Sequence, residues 1–212
     1  MLPADLVVAV RRAGVRDERV LEALERVPRA AFAPRASGVD PYLDVPLPIP
    51  HAQVTTQPSL VAKMLEALTL SGSDRVLEVG TGYGFQTALL ARLAAFVWSI
   101  ERWGDLAETA RANLSANGTV GVEILVGDGS EGLPDHAPYD VVIVSAAFPT
   151  VPPPLAEQLA DGGRLVQPIG SGGNERVLLF VKRAGRLEPR QFVTGAHFVR
   201  LYGRHGFAVS DR

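Results

Sequence analysis

Apolar residues first recur at helical spacing. Leu6, Val7 and Val10 share one face, and Gly14 ends that predicted helix. Asp17 is the expected N-cap of a second helix carrying Val20, Leu21 and Leu24, stopped by Pro28. From Ala33 to Pro50 the periodicity vanishes. Prolines stand at 34, 41, 46, 48 and 50, yet Tyr42, Leu43, Val45, Leu47 and Ile49 make the stretch too apolar for a free linker. An ordered strap is expected there, with Tyr42 and Asp44 covering the site or packing on the sheet. Pro58 opens a third helix through Leu60, Val61, Met64, Leu65 and Leu68.

Beyond Ser71 the pattern alternates. Strands are predicted over 75–79, 96–100, 122–126, 141–144, 164–168, 177–182 and near 192–201, with helices over 84–93, 106–114 and 155–159. Val141 to Val144 is wholly apolar, which suits a strand covered on both faces. Strand–helix alternation at this spacing predicts an α/β, doubly wound, mostly parallel seven-stranded sheet with an N-terminal helical extension. The last two strands are joined by a short connection around Gly185, too short for a parallel crossover, so an antiparallel C-terminal strand is expected. One domain over 1–212 is expected, with helices and strap in 1–70 and the α/β core in 71–212.

Composition narrows the classes. With 47% hydrophobic and 21% charged residues among 212, the chain is globular in character. No cysteine is present, which excludes disulfides, thiolate nucleophiles and thiolate metal sites. The four histidines, 51, 136, 197 and 205, have no metal-ligand spacing, and no metal is expected. A net charge of -2 without a basic run argues against nucleic acid. No apolar run suits a membrane span, and no cationic leader opens the sequence, so a cytoplasmic protein is expected. Without a sustained heptad or apolar stripe, a monomer is expected.

The chemistry concentrates in three places. Residues 75–85, RVLEVGTGYGF, read as strand, glycine turn and helix, the arrangement that lets a ligand approach backbone at the carboxyl end of a strand. Glu101 closes the next strand at the spacing of a carboxylate that holds ribose hydroxyls. The glycine spacing is G-x-G-x-G rather than that of a dinucleotide site. Glu78 beside it would repel a pyrophosphate but suit a cationic amino-acid group. These features favour S-adenosylmethionine over a nicotinamide. Asp128 and Gly129 follow the third strand, where a carboxylate can accept from an exocyclic amine.

Together these stretches resemble the protein-L-isoaspartate O-methyltransferase family, over roughly 21–206. The similarity rests on Val27-Pro28-Arg29 with Phe32, on 42–49 (YLDVPLPI) and on the cofactor loop 77–87 (LEVGTGYGFQT). It also rests on Ser99-Ile100-Glu101-Arg102, on Gly127-Asp128-Gly129 and on 139–147 (YDVVIVSAA). The resemblance implies S-adenosylmethionine as cofactor, S-adenosylhomocysteine as product, and methylation of the α-carboxylate of isoaspartyl residues in damaged proteins and peptides. By match, Glu78, Gly80, Gly82, Glu101 and Asp128 would hold the cofactor, joined by Thr81, Arg102 and Gly129.

The family's substrate loop reads Gly-x-Gly-Gln-Thr-x-Ser. Here Pro50 and Ala52 replace the glycines, Val54 replaces Thr, and Thr56 replaces Ser, while Gln53, Gln57 and Pro58 match. Thr56 is therefore expected as the principal residue at the reacting carboxylate, with Thr55 as the alternative. Substrate contacts are expected from Gln53, His51, Ser145 and Ala146. Near the C-terminus Arg200 replaces the family's Pro, and His197 stands where an apolar residue is usual. These departures leave open a related methyltransferase acting on another carboxylate, or a binding module without turnover.

Overall fold

The computed structural model describes residues 2–34 and 38–208. Its first helices are α1 (Pro3–Arg12) and α2 (Glu18–Arg26), and Asp17 caps α2 by accepting from the amides of Arg19 and Val20 at 2.8 and 3.4 Å. The strap contains a short hairpin, β1 (Leu47–Ile49) with β2 (Gln53–Thr55), and leads into α3 (Pro58–Leu68), which starts at its proline. Then follow β3 (Arg75–Val79), α4 (Phe85–Leu93), β4 (Phe96–Glu101), α5 (Gly104–Ala116), β5 (Val122–Val126), β6 (Tyr139–Val144), α6 (Pro153–Glu157), β7 (Leu159–Ile169), β8 (Glu175–Arg183) and β9 (Arg186–Ala196).

The main sheet has seven strands in the order β5-β4-β3-β6-β7-β8-β9. All pairings from β5 to β7 are parallel, and β8 runs against both β7 and β9. The antiparallel element is thus the penultimate strand of a C-terminal hairpin. Several elements run a few residues beyond the predicted ranges, and two differences matter for the topology. The short helix ends at Glu157, so Leu159 already belongs to β7. The last strand occupies Arg186–Ala196 rather than 192–201. Ala184 and Gly185, with φ of 48° and 75°, make a tight turn that returns the chain straight into the sheet. Its polar opening, Arg186 to Gln191, hides the strand from a hydrophobicity reading because it lies exposed at the sheet edge.

Alternation along the strands divides the core. Val76, Val97, Val141, Ile143 and Val166 face helices α1 to α5, whereas Leu77, Val79, Val142, Val144 and Leu165 face α6, the turn near Leu133 and the C-terminal segment. One polar residue organises the strap. Arg29 is buried, and its guanidinium donates to the carbonyls of Pro41, Leu43 and Val45 at 2.7 Å each and to Thr55 Oγ1 at 3.4 Å. Burial lowers its pKa to about 10, so it remains a cation at neutral pH. Asp44 ties the same strap to α3, accepting from the Ser59 amide at 2.8 Å and from Gln57 Nε2 at 3.0 Å.

Candidate functional site

In this sheet the chain leaves β3 toward β4 and β5, then returns to place β6 on the other side of β3. Ligands of open α/β sheets bind outside the carboxyl ends of strands at such a reversal. Gly80 and Ser145 sit there, directly after β3 and β6, and the Ser145 amide donates to the Val79 carbonyl at 2.9 Å. Gly80 has φ of 96°, and a β-carbon on it would lie 3.4 Å from that of Ser145. Glycine is thus required for backbone shape, and the crowding against Ser145 reinforces the need. Gly84 caps α4 in the left-handed region, where a side chain would press on Leu114 at 3.3 Å.

A cleft with about 920 Å³ of empty space opens over this bend. Val79, Gly80, Thr81, Gly82 and Tyr83 form its floor, Ile100, Glu101 and Arg102 one side, and Ser145, Ala146 and Gly129 another. Ile49, Gln53 and Val54 of the hairpin and Val199, Arg200, Leu201 and Tyr202 of the C-terminal segment complete the wall. The Glu101 carboxylate accepts from the amides of Gly82 at 2.9 Å and Trp103 at 3.1 Å. Burial raises its pKa, and these amides work the other way.

A second cleft, with about 1200 Å³ of empty space, runs between α3 and the end of β9. Val54, Thr56, Ser145 and Val199 line both clefts, so the two meet at Thr56. The Thr55 hydroxyl is engaged, accepting from the Leu47 amide at 3.1 Å and from Arg29. Thr56 Oγ1 has no hydrogen bond to any described residue. Of the two threonines, the structure leaves Thr56 free at the junction and uses Thr55 to lock the hairpin.

Three expected site residues lie elsewhere. Glu78 does not line the cleft. Alternation in β3 turns it toward α4, where it is sealed from solvent and accepts from Thr87 Oγ1 at 2.5 Å, Ser99 Oγ at 2.6 Å and Gln86 Nε2 at 2.9 Å. Burial pushes its pKa up to about 7 against these donors. Asp128 also turns away. It takes the Arg204 amide at 2.6 Å and the Ser130 amide and hydroxyl at 2.9 and 2.7 Å, anchoring the C-terminal segment. Burial works against its charge, but these donors prevail and hold the carboxyl below its ordinary value.

His51, expected against substrate, lies at the hairpin tip. Its ring stacks on Trp103 with centroids 3.9 Å apart and planes 5° from parallel, and Nε2 lies 2.9 Å from both carboxylate oxygens of Asp105. On the other side Arg102 sits 4.8 Å from the Trp103 ring centre and 5.2 Å from that of Tyr202. His51 and Ala52 hold φ of 60° and 54°, the shape the family's glycine at position 52 would adopt without strain.

Sequence reasoning missed Gln86 as a site residue, though its motif was legible. Gln86 lines the cleft, donates to Glu78 and to Ser145 Oγ at 3.0 Å, and leaves its buried Oε1 without a partner. It also missed Ile49, Phe85 and Tyr202, apolar or aromatic residues whose role comes only from tertiary placement. Trp103 packs against His51 rather than lining the cleft.

A glycine bend at the reversal of a seven-stranded sheet of this order, faced by a carboxylate ending the neighbouring strand, defines a Rossmann-like methyltransferase. Comparison narrows the class. The chain belongs to the protein-L-isoaspartate(D-aspartate) O-methyltransferase family, whose model matches residues 3–206. It is 48% identical over 199 residues to the protein-L-isoaspartate O-methyltransferase of Koribacter versatilis, covering 94% of this chain and 89% of that one. It is 48% identical to its namesake in Methanoculleus marisnigri, covering 93% and 90%. A solved protein-L-isoaspartate O-methyltransferase superposes with a TM-score of 0.85 at 27% identity, over 97% of this chain and 67% of that one. A Plasmodium falciparum structure in complex with S-adenosyl-L-homocysteine agrees in fold, with a TM-score of 0.80 at 22% identity over 93% and 96%.

Proposed function

We propose that this chain is a carboxyl O-methyltransferase that uses S-adenosylmethionine to methylate the α-carboxylate of L-isoaspartyl residues in damaged proteins and peptides. The observation that carries the reading is the meeting of two clefts at Thr56, one shaped for the cofactor and one open to a peptide.

The residues present fit the cofactor. Glu101 is an acceptor-only group at the cleft wall with oxygen lone pairs beyond the two amides it already takes, which suits the paired hydroxyls of a ribose. Gln86 Oε1 is a buried acceptor without a donor, which suits an ammonium group. Gly80, Thr81 and Gly82 allow close approach to backbone, and Arg102, Gly129 and Ala146 complete the walls. Glu78 supports this site from below through Gln86 and does not touch ligand. Bound there, S-adenosylmethionine supplies a methyl group activated by its sulfonium.

The chain's own work is then placement. A carboxylate with an ordinary pKa near ~3.5 is ionised at neutral pH and needs no general base. Thr56 Oγ1 donates to one carboxylate oxygen and leaves the other aimed at the first cleft. Val54 and Val199, apolar residues of both clefts, shed water from the junction once a peptide covers them. Segments carrying isoaspartate are the partners, reaching the site along the second cleft, and among the described residues no helix is long and apolar enough to cross a membrane.

The test compares an isoaspartyl peptide with its normal aspartyl twin as methyl acceptors. Methylation of the first alone is expected. Equal rates would point to another carboxylate substrate, and no transfer to either would reduce the chain to a binding module.

A further inference from the structure

The second cleft has a charge pattern that methyl transfer does not use. Lys63 on α3 lines it, and its ammonium has no ion pair or hydrogen bond to any described residue. His197, beyond the end of β9, lines the same cleft. No carboxylate is among the described lining residues. The nearby acidic groups do not reach the cleft: Asp44 is bound to Ser59 and Gln57, and Glu175, outside the lining, is buried with one oxygen on the Phe198 amide at 3.0 Å and the other sealed in without a partner. Glu66, on α3 itself, takes the amides of Arg16 and Asp17. The cleft therefore presents a lone cation, with Leu60 and Phe198 as apolar neighbours.

Lys63 lines only this cleft and not the one over the glycine bend. It is therefore not placed to hold the reacting carboxylate, which belongs at Thr56 where both clefts meet. Its ammonium faces whatever lies beside the damaged residue. We infer that the second cleft selects isoaspartyl segments carrying an acidic side chain next to the isoaspartate, with Lys63 as the specificity-determining group. The inference rests on the isoaspartyl reading of the site. The energetic scale is that of a partly exposed ion pair, up to about 1 kcal/mol, or roughly two- to five-fold in kcat/KM.

The experiment uses isoaspartyl peptides with Glu, Gln or Lys placed in turn at each flanking position. Methylation is followed in one arm, and peptide binding to the protein saturated with S-adenosylhomocysteine in the other. The wild type should favour Glu over Gln at one or more flanking positions by roughly two- to five-fold, and the preference should shrink as salt is raised. K63Q should bring the ratio to about one, and K63E should invert it toward Lys. A purely structural lysine would give neither the inversion nor the salt dependence. A wild type indifferent to Glu at every position, or a K63Q variant that keeps the preference, overturns the inference. Failure of the Gln-flanked isoaspartyl peptide to be methylated overturns the proposed reaction instead. The binding arm still decides the role of Lys63.

Discussion

Replacing Glu78 by glutamine tests the electrostatics under the cofactor floor. Glu78 is sealed from solvent, and its carboxyl titrates at about 7 instead of 4.5 because burial outweighs the donors from Ser99, Thr87 and Gln86. A folded pKa above the unfolded value means that folding favours the protonated form. The stability this contributes is complete below the unfolded pKa and is lost as pH rises through about 7. At 1.36 kcal/mol per pKa unit the loss is about 3 kcal/mol. Glutamine keeps the shape and does not titrate. Unfolding by urea, followed by fluorescence of Trp98 and Trp103, should show the wild type losing about 3 kcal/mol relative to E78Q between about pH 4 and pH 8. A second outcome follows from hydrogen-bond direction. The amide introduced by E78Q can keep its oxygen on Gln86 Nε2 and turn its NH2 to Thr87 and Ser99, whose hydroxyls accept as readily as they donate, so Gln86 keeps its orientation at the cleft. S-adenosylhomocysteine should then bind E78Q within about two-fold of the wild type at pH 8, and a larger loss would show that Gln86 has turned over. A stability difference independent of pH, or one that moves in favour of the wild type as pH rises, would refute the account.

Other perturbations separate the remaining parts of the site. Thr56→Val should lower kcat by about ten- to a hundred-fold, the scale of a hydrogen bond to a charged group, while calorimetry shows S-adenosylhomocysteine binding unchanged. Equal loss of both would deny Thr56 a substrate-side role. Ala52→Gly relieves a left-handed alanine, and should stabilise by about 0.5–1 kcal/mol and raise Tm by roughly 2 °C in scanning calorimetry. Arg29→Met leaves carbonyls without their donor and should cost about 3 kcal/mol, seen as a lower urea midpoint together with faster proteolysis of the strap. His51→Ala removes the stack on Trp103 and the pair with Asp105, and should lower Tm by roughly 2–4 °C in scanning calorimetry while S-adenosylhomocysteine binding stays unchanged.

The parts of this architecture that follow a short-range rule were legible. The Asp17 cap, the proline opening α3, the apolar run of β6 and the glycine bend after β3 each declare themselves within a few residues, and together they predict the sheet and its ligand edge. What was not legible depends on direction. Glu78, Asp128 and His51 stand in the right stretches, but the side of the strand or turn on which each emerges is set by tertiary contacts with Gln86 and Thr87, with Arg204, and with Trp103. The resemblance ranks Thr56 above Thr55 by position in the loop alone, and only the position of Arg29 shows that the Thr55 hydroxyl is consumed. The opening of β9 was hidden because an edge strand facing solvent has no apolar periodicity to read.

Arg29 grips its strap through carbonyl oxygens, a group that every amino acid supplies alike. Apart from Asp44, which ties the strap to α3, and Tyr42, which packs on the core, the side chains between those grips matter little to whether the segment keeps its course. Such an anchor decouples scaffold from surface: a residue facing the peptide can be exchanged, as Val54 has been relative to the family pattern, while the polypeptide track beneath it stays in place. Retuning acceptor preference in this molecule is thus a matter of redecorating a fixed rail, and Pro46 and Val54, which line the second cleft, are the natural places to attempt it.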